Sequence, residues 1–446
     1  MNISGEIFMI KFKKMIYMLL VMSIVFFSGG LTNLVDAASS MPIVSSHAYV
    51  IMDANSGKTL YSSDADKKIY PASIVKLLTA LVAMENCDLS KKMTVDAQIL
   101  SEIPYGAYVL NLKAGSTYTL EELLNMLLIS SAADAADTIA VGVAGSKEKF
   151  AEMMNERAKT LGLKNSSFDN AIGRDGEQFP NTYSTANDIA KLTRYVMTVP
   201  LIRDIVSKVE YNIENYDGEF SRVIYNTNRF LKGQPYPSNL YKVIGGKTGS
   251  TLLCGHSLAT TARTNDGREV ICAFFGNYGV NNMYKDIEKL LTATFENYYN
   301  GEIELEKGYV DTRYLDSREV INKYLDKDIL KIDSSLAFNP DEEVSKKEFI
   351  EMTNKILNTS YKESTSEEKM TLLDVANLLS NYKSKDYNLW TKIKYKMKLS
   401  VTKDDFNNMV HLYELNILPK DYSYDEKSTI TRVEMIEILD NLREIK

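Results

Sequence analysis

Ser73 and Lys76 stand three residues apart and lead into an apolar run from Leu77 to Met84. On a helix that spacing places both side chains on one face, a turn apart. A serine hydroxyl is a weak nucleophile until a base removes its proton, and a lysine beside it serves as that base only when neutral. Burial or a second cation lowers a lysine pKa, and the apolar run supplies burial. A second element is Lys247-Thr248-Gly249, preceded by Gly245-Gly246 and placed between two expected strands. Glycines there let another backbone or a ligand approach closely, while Lys247 and Thr248 offer a charge and a hydroxyl to a carboxylate. The third element is Ser131, in Ile129-Ser130-Ser131-Ala132-Ala133-Asp134, suited to relaying a proton to a leaving group. Taken singly, these are a chance pair on a helix, a tight turn and a polar residue between two helices. Taken together they describe acyl transfer through Ser73. His47, His256 and His411 lack any motif context and read as structural, so no serine–histidine–aspartate arrangement competes; His256 follows the Lys247 element closely.

Several elements must position these groups. Ala48 to Met52 reads as a strand, Asn55-Ser56-Gly57 as a turn and Thr59-Leu60-Tyr61 as the returning strand. Pro71 stands where a helix begins, and the run after Ser73 is apolar on most sides, which predicts a buried helix. Leu123, Leu124, Leu127 and Leu128 recur at helical spacing within a pattern spanning 120–141. Further helices are expected over 147–161, 185–197 and 283–298, and strands over 241–244, 257–263 and 270–276. Strands at both ends with helices between them predict an α+β domain whose sheet joins its termini.

The chain has 446 residues, enough for two or three domains, and a formal net charge of −7. With a pI near 5.4 it lacks the basic balance of a nucleic-acid binder. Cys87, Cys254 and Cys272 form no C-x-x-C pair, and with three histidines they complete no zinc site. No metal and no cofactor are expected. The thiols read as small buried groups, with a Cys254–Cys272 bridge left open. Lys11, Lys13 and Lys14 precede an apolar run from Met15 to Phe27, and Val35-Asp36-Ala37 ends on a small residue. This is the order of a secretory signal over residues 1–37. Its apolar core is short of the ~20 residues of a spanning helix; the alternative is an uncleaved membrane anchor. Either way the body of the protein is expected outside the cytoplasm, in the cell wall or on the outer face of the membrane.

The three chemical elements occur in the chain order of the S-x-x-K, S-D-N and K-T-G set of class A β-lactamases and penicillin-binding proteins. From about residue 42 to 300 the sequence resembles the low-molecular-mass D-alanyl-D-alanine carboxypeptidases. The resemblance is carried by Asp53-Ala54-Asn55-Ser56-Gly57-Lys58-Thr59-Leu60-Tyr61, by Tyr70-Pro71-Ala72-Ser73-Ile74-Val75-Lys76-Leu77-Leu78-Thr79-Ala80, by Tyr183-Ser184-Thr185-Ala186-Asn187-Asp188 and by Gly246-Lys247-Thr248-Gly249-Ser250-Thr251. It implies a transpeptidase-like fold, an antiparallel sheet with helices, and a peptidoglycan stem peptide as substrate. It also implies β-lactam antibiotics as covalent inhibitors. In that scheme Lys76 deprotonates Ser73, and the backbone N–H groups of Ser73 and Ser250 form the oxyanion hole. Lys247 and Thr248, with Gly249 and Thr251 beside them, receive the terminal carboxylate, and Ser131 passes a proton to the departing D-alanine. One position departs from the family pattern. The second motif normally ends in asparagine, and here that residue is Ala133. Its loss weakens the support around Lys76. Two rival readings follow: another penicillin-recognising hydrolase such as a β-lactamase, or a wall-binding scaffold whose enzyme domain has decayed.

After residue 300 the composition turns rich in Lys, Asp, Glu and Tyr and poor in Gly, and residues 301–446 read as a separate, mainly helical region. Ile430-Thr431-Arg432-Val433-Glu434 has a capping-box pattern ahead of an apolar helix face. Val344-Ser345-Lys346-Lys347-Glu348-Phe349 repeats it, and Met370-Thr371-Leu372-Leu373-Asp374-Val375 is a weaker copy. These copies resemble S-layer homology modules, which implies binding to a secondary cell-wall polymer; the alternative is a degenerate stalk. Only the last copy keeps the arginine, Arg432.

Overall fold

The computed structural model describes residues 41–214, 221–232, 238–332, 335–380, 403–418 and 427–445. The expected signal, residues 1–37, lies outside the described residues. Five strands form an antiparallel sheet: β1 (Ala48–Asp53), β2 (Thr59–Ser63), β3 (Lys242–Thr251), β4 (Gly255–Arg263) and β5 (Glu269–Asn277). Their order is β2-β1-β5-β4-β3. The N-terminal hairpin therefore lies against the last strand, with β1 paired to β5 from Ala48↔Phe275 to Asp53↔Val270. This is the sheet joining both ends that the sequence predicts.

Strand alternation sends side chains to two cores. Val50, Met52, Ile271, Ala273 and Phe275 face a large helical core. Tyr49, Ile51, Val270, Cys272 and Phe274 pack with Ile287, Leu290, Leu291 and Phe295 of a C-terminal helix. With both faces covered, the central strands read as continuous apolar runs rather than alternating ones. The helices that matter below are α1 (Lys76–Asn86), α2 (Ala133–Ala144), α3 (Lys147–Thr160), α4 (Ala186–Val196) and α5 (Val280–Tyr299). Every residue of α1 from Lys76 to Ala83 is buried, and α1 touches α2, α3 and α4. Its all-round apolar surface is what requires this central place.

The structure departs from the sequence reading at two points. The expected strand 241–244 runs on to Thr251, so Lys247-Thr248-Gly249 lies within β3 and not between strands. Pairing to β4 continues to Thr251↔Gly255, and the Gly245-Gly246 pair is accommodated by a register shift between Val243 and Gly245. The helical pattern over 120–141 is broken into a helix Leu120–Asn125, a π-helical turn Met126–Ser130 and α2. Leu123, Leu124, Leu127 and Leu128 are all buried, so apolar periodicity does not reveal the break. Cys254 and Cys272 are buried free thiols, in line with the sequence reading, and the bridge it left open is not formed; burial pushes both up to about 12.

Beyond residue 308 a second core gathers Tyr309, Ile321, Tyr324, Phe349, Val375, Met435 and Leu439. Its centre is a ring of three repeated elements. Helices α6 (Lys346–Leu357), α7 (Leu372–Leu378) and α8 (Arg432–Glu444) are capped by Ser345, Thr371 and Thr431, each side chain accepting from the backbone N–H three residues on. The residues before the caps close a cycle. Val344 N–H donates to Ile430, Ile430 to Met370 and Met370 to Val344, each at 2.9 Å. Arg432 of the third copy pairs with Glu348 of the first (2.8 Å), and Lys346 of the first with Asp374 of the second (3.2 Å). The matching position of the second copy is Leu372, which is buried and cannot extend the pattern.

One buried network ties this region to the sheet. Arg313 donates to Glu269 at the start of β5 (2.6 Å) and to Asn55 in the β1–β2 turn (2.8 Å). Arg203 pairs with the same carboxylate. Burial alone would raise the Glu269 carboxyl, but Arg313 and Arg203 outweigh it and hold it below its ordinary 4.5. Removing one partner of a buried pair costs about 3–5 kcal/mol. Arg313→Met is therefore expected to lower the unfolding free energy, read from urea denaturation at neutral pH, by about 3–5 kcal/mol. A carboxylate with a depressed folded pKa stabilises above its unfolded value and loses that contribution as pH falls through the folded one. The difference between wild type and variant should accordingly shrink below about pH 4.5.

Candidate active site

The turn that carries Ser73 is short and strained. Ala72–Val75 forms a 3-10 turn, and Lys76 is the first residue of α1. Ser73 and Lys76 thus share a face as the spacing requires, although the serine precedes the α-helix. Ala72 has φ +49°, a left-handed conformation costly for a residue with a Cβ. The conformation is held by what surrounds it. A Cβ on Gly173 would lie 1.9 Å from the Ala72 carbonyl oxygen, and one on Gly249 would lie 2.8 Å from the Pro71 carbonyl. Two glycines from distant segments therefore let backbone close onto the turn from two sides.

Lys76 is 2% exposed. Its Nζ donates to Ser73 Oγ at 2.9 Å and to the Ile172 carbonyl at 2.7 Å. Burial lowers its pKa from the usual lysine value to about 7, against the opposing pull of Asp137 and Asp134. A lysine at that value is partly neutral near physiological pH, and it lies within hydrogen-bond reach of the Ser73 hydroxyl. Lys247 is also fully buried, and burial followed by the charge of Lys76 holds it well below the usual lysine range. Its Nζ donates to the Thr248 carbonyl at 3.1 Å.

A cleft of ≈ 320 Å³ opens over these groups. Ser73, Lys76, Ser131, Thr248, Gly249, Ser250 and Thr251 all line it. Lys247 lies beneath this wall and is not part of the lining. Ser131 ends the π-helical turn at φ +69°, donating its backbone N–H to Met126. Thr248 Oγ1 is 2.7 Å from Thr227 Oγ1, and Thr251 donates to the Asp175 carboxylate. Ser250 pairs across strands with His256, whose Nδ1 is 3.1 Å from Ser250 Oγ. His256 thus stands beside the site without touching Ser73 or Lys76 in any hydrogen bond shown.

Ala133 lines the same cleft as the first residue of α2. Its neighbour Asp134 does not replace a carboxamide there. Asp134 accepts the backbone N–H groups of Leu110 (3.2 Å), Leu112 (3.0 Å) and Ala135 (3.1 Å), and so anchors the 110–112 loop. Sequence reasoning passed over the Ile172 carbonyl, Thr227, Asp175, and the cleft residues Tyr108 and Arg174. Main-chain acceptors leave no trace in residue types. Arg174 and Asp175, in Gly173-Arg174-Asp175-Gly176, offered a charged signal between two glycines.

Gly249→Ala tests the close approach of β3 to the Ser73 turn. The added methyl group meets the Pro71 carbonyl and the Ala72 Cβ, at 2.8 and 3.2 Å, so the turn must shift. A misplacement of this kind is expected to slow acylation of Ser73 by a fluorescent β-lactam roughly a hundredfold. Far-ultraviolet circular dichroism should stay native.

The model of the S11 peptidases, described as D-alanyl-D-alanine carboxypeptidase, matches residues 35–278. The D-alanyl-D-alanine carboxypeptidase DacF of Bacillus subtilis is 32% identical over 252 residues, covering 56% of this chain and 62% of that protein. The chain therefore spans less than two thirds of that curated relative's length. Among solved structures, a D-alanyl-D-alanine carboxypeptidase from Mycobacterium tuberculosis superposes with a TM-score of 0.52 at 26% identity, covering 57% of this chain and 93% of that one. Penicillin-binding protein D2 from Listeria monocytogenes, in its cefotaxime-bound form, gives a TM-score of 0.50 at 26% identity, covering 57% and 98%. With its matching segment spanning the Ser73 turn, the Ser131 junction and the Lys247 strand, this chain belongs to the S11 peptidase family, D-alanyl-D-alanine carboxypeptidase.

Proposed function

We propose that the chain is a serine-type D-alanyl-D-alanine carboxypeptidase acting on peptidoglycan stem peptides. The observation that carries this reading is the buried Lys76, with a pKa of about 7, 2.9 Å from Ser73 Oγ at the floor of the cleft. Neutral Lys76 takes the Ser73 proton as Oγ attacks the carbonyl carbon between the two D-alanines. The backbone N–H groups of Ser73 and Ser250 stabilise the oxyanion. Lys247, Thr248 and Thr251 act on the terminal carboxylate. The C–N bond breaks as Ser131 relays a proton to the departing amine, and water hydrolyses the ester left on Ser73. β-Lactams enter the same path and stop at the ester. The scheme uses no cofactor and no metal.

We also read the chain as exported, with its C-terminal region as an S-layer-homology-like module that holds the enzyme against a wall polymer. The support is the cyclic three-copy arrangement of capped helices. Arg432 is engaged with Glu348 and Glu342 inside that arrangement, so its first role is to join copies. Co-sedimentation of the full chain with purified cell walls is expected to retain the protein in the pellet. Walls stripped of secondary polymer should release it, and equal retention on both would remove this part of the reading.

The activity is tested on the signal-free protein. Brief exposure to penicillin should add the mass of one penicillin, and a stem-peptide mimic ending in D-alanyl-D-alanine should yield free D-alanine. In Ser73→Ala the adduct should vanish and D-alanine release fall by ~10³-fold or more. A slowly decaying adduct indicates a carboxypeptidase and rapid turnover a β-lactamase. A folded wild-type protein that neither gains mass nor releases D-alanine would favour the decayed-scaffold reading.

A further inference from the structure

The segment from Asn170 to Asp175 runs along one side of the cleft and is fixed at each step. Asn170 is buried, and its side chain grips the backbone of residue 174 at both ends. Its Oδ1 accepts the N–H groups of Gly173 (2.8 Å) and Arg174 (2.9 Å), and its Nδ2 donates to the Arg174 carbonyl (2.9 Å). The Ile172 carbonyl accepts from Lys76, and Gly173 abuts the Ser73 turn. The Asp175 carboxylate accepts from Thr251, the last residue of β3. Arg174 therefore springs from a backbone held in place between the Ser73 turn and the end of β3.

The Arg174 guanidinium lies at the rim of the cleft. Its Nη2 donates to the Tyr105 carbonyl at 2.7 Å, in the loop that brings Gly106, Ala107 and Tyr108 to the lining. Gly106 has no side chain to cover it; a Cβ there would lie 4.0 Å from Nη2. A guanidinium has five N–H donors and keeps its charge at every physiological pH, and the bond shown uses one of the five. The adjacent acid, Asp175, is turned to Thr251, and Arg174 forms no ion pair among the described residues. The described lining carries two cationic side chains, Lys76 and Arg174, and no acid. Lys76 is partly neutral and engaged with Ser73, so Arg174 is the permanent charge of that wall.

In the reading above, the terminal carboxylate already has Lys247 and the Thr248 hydroxyl, and the carbonyl between the two D-alanines has the N–H groups of Ser73 and Ser250. Along β3 the direction from Thr248 to Ser250 leads on to Thr251. The rest of the peptide therefore runs toward the end of β3 to which Asp175 is tied, where Arg174 stands. We propose that Arg174 is a specificity-determining residue that receives a side-chain carboxylate on the residue preceding D-alanyl-D-alanine. Stem peptides with an acidic residue at that place are then preferred over those with a neutral one. The proposal rests on the carboxypeptidase reading above and names the substrate class within it.

The chemistry suits an arginine in particular. A planar guanidinium meets a carboxylate with two parallel hydrogen bonds, whereas a lysine offers a point charge without the fork. The Tyr105 carbonyl holds the side chain across the rim before any substrate arrives, so less side-chain freedom is lost on binding. Arg174 is only partly buried. Salt screens such a charge, and the preference for acidic peptides should shrink as ionic strength rises.

The experiment measures D-alanine release by the full-length protein from two synthetic peptides that differ in the charge at the end of one side chain. They are Nα-acetyl-L-α-aminoadipyl-D-alanyl-D-alanine, which is acidic there, and Nα,Nε-diacetyl-L-lysyl-D-alanyl-D-alanine, which is neutral. The acidic-to-neutral ratio of kcat/KM is expected to be about ten or more in wild type and to fall to about one in Arg174→Gln. Arg174→Glu is the second variant, in which the ratio should drop below one. Each ratio is taken within one protein, so a general loss of activity cancels. A wild-type ratio near one, or an unchanged ratio in a folded variant, overturns the role of Arg174 and leaves the function standing; equal losses on both peptides would mean that Arg174 serves the terminal carboxylate or only the rim. Wild type that gains the mass of penicillin but releases D-alanine from neither peptide also overturns the proposal. Wild type that does neither overturns the function and the proposal together.

Discussion

Enclosing a primary ammonium in protein removes most of its hydration, and the fold spends several elements on doing so twice within one cleft. Lys76 opens a helix that is buried on every side, and Lys247 lies inside an edge strand beneath the cleft wall. Desolvation lowers both lysine pKa values and makes these two ammonium groups costly to hold in the domain. The neighbours of Lys76 are arranged around that cost: a main-chain carbonyl from Ile172, the hydroxyl of Ser73, and the acids of α2.

The same cleft depends on backbone surfaces meeting without side chains between them. Gly249 brings β3 against the Ser73 turn, Gly173 brings another segment against it, and Gly246, at φ +148°, leaves no room for a Cβ beside Ala259 and Thr260 of β4. Ala72 and Ser131 take left-handed conformations without being glycine. Each such residue is costly, and each lies next to a group with a proposed chemical role. The strain is held by packing on both sides rather than by anything in the turns themselves.

The C-terminal region follows a different logic, in which three similar segments complete one another. Each helix start is satisfied locally by its own cap, while the strand-like residues before the caps find their backbone partners only in the other copies. None of the three copies satisfies these groups alone. Arg313 then couples the region to the sheet through Glu269 and Asn55, so the two cores share a buried ionic contact.

Residue types and spacing in the sequence determined the local part of this protein. The Ser73–Lys76 pair, the burial of the helix after it, the Lys247 element, the terminal hairpin and the capping boxes at Thr371 and Thr431 all involve residues within a few positions of each other, where helix and strand periods and cap chemistry act directly. Only the tertiary structure decided the rest. Apolar periodicity passes unchanged through the π-helical turn before Ser131, so the break was invisible. The extension of β3 to Thr251 depends on β4 as a partner. The orientation of Asp134 depends on a loop more than twenty residues away in sequence. Electrostatic influence and close approach act across space between residues distant in sequence, and a linear pattern carries no record of them.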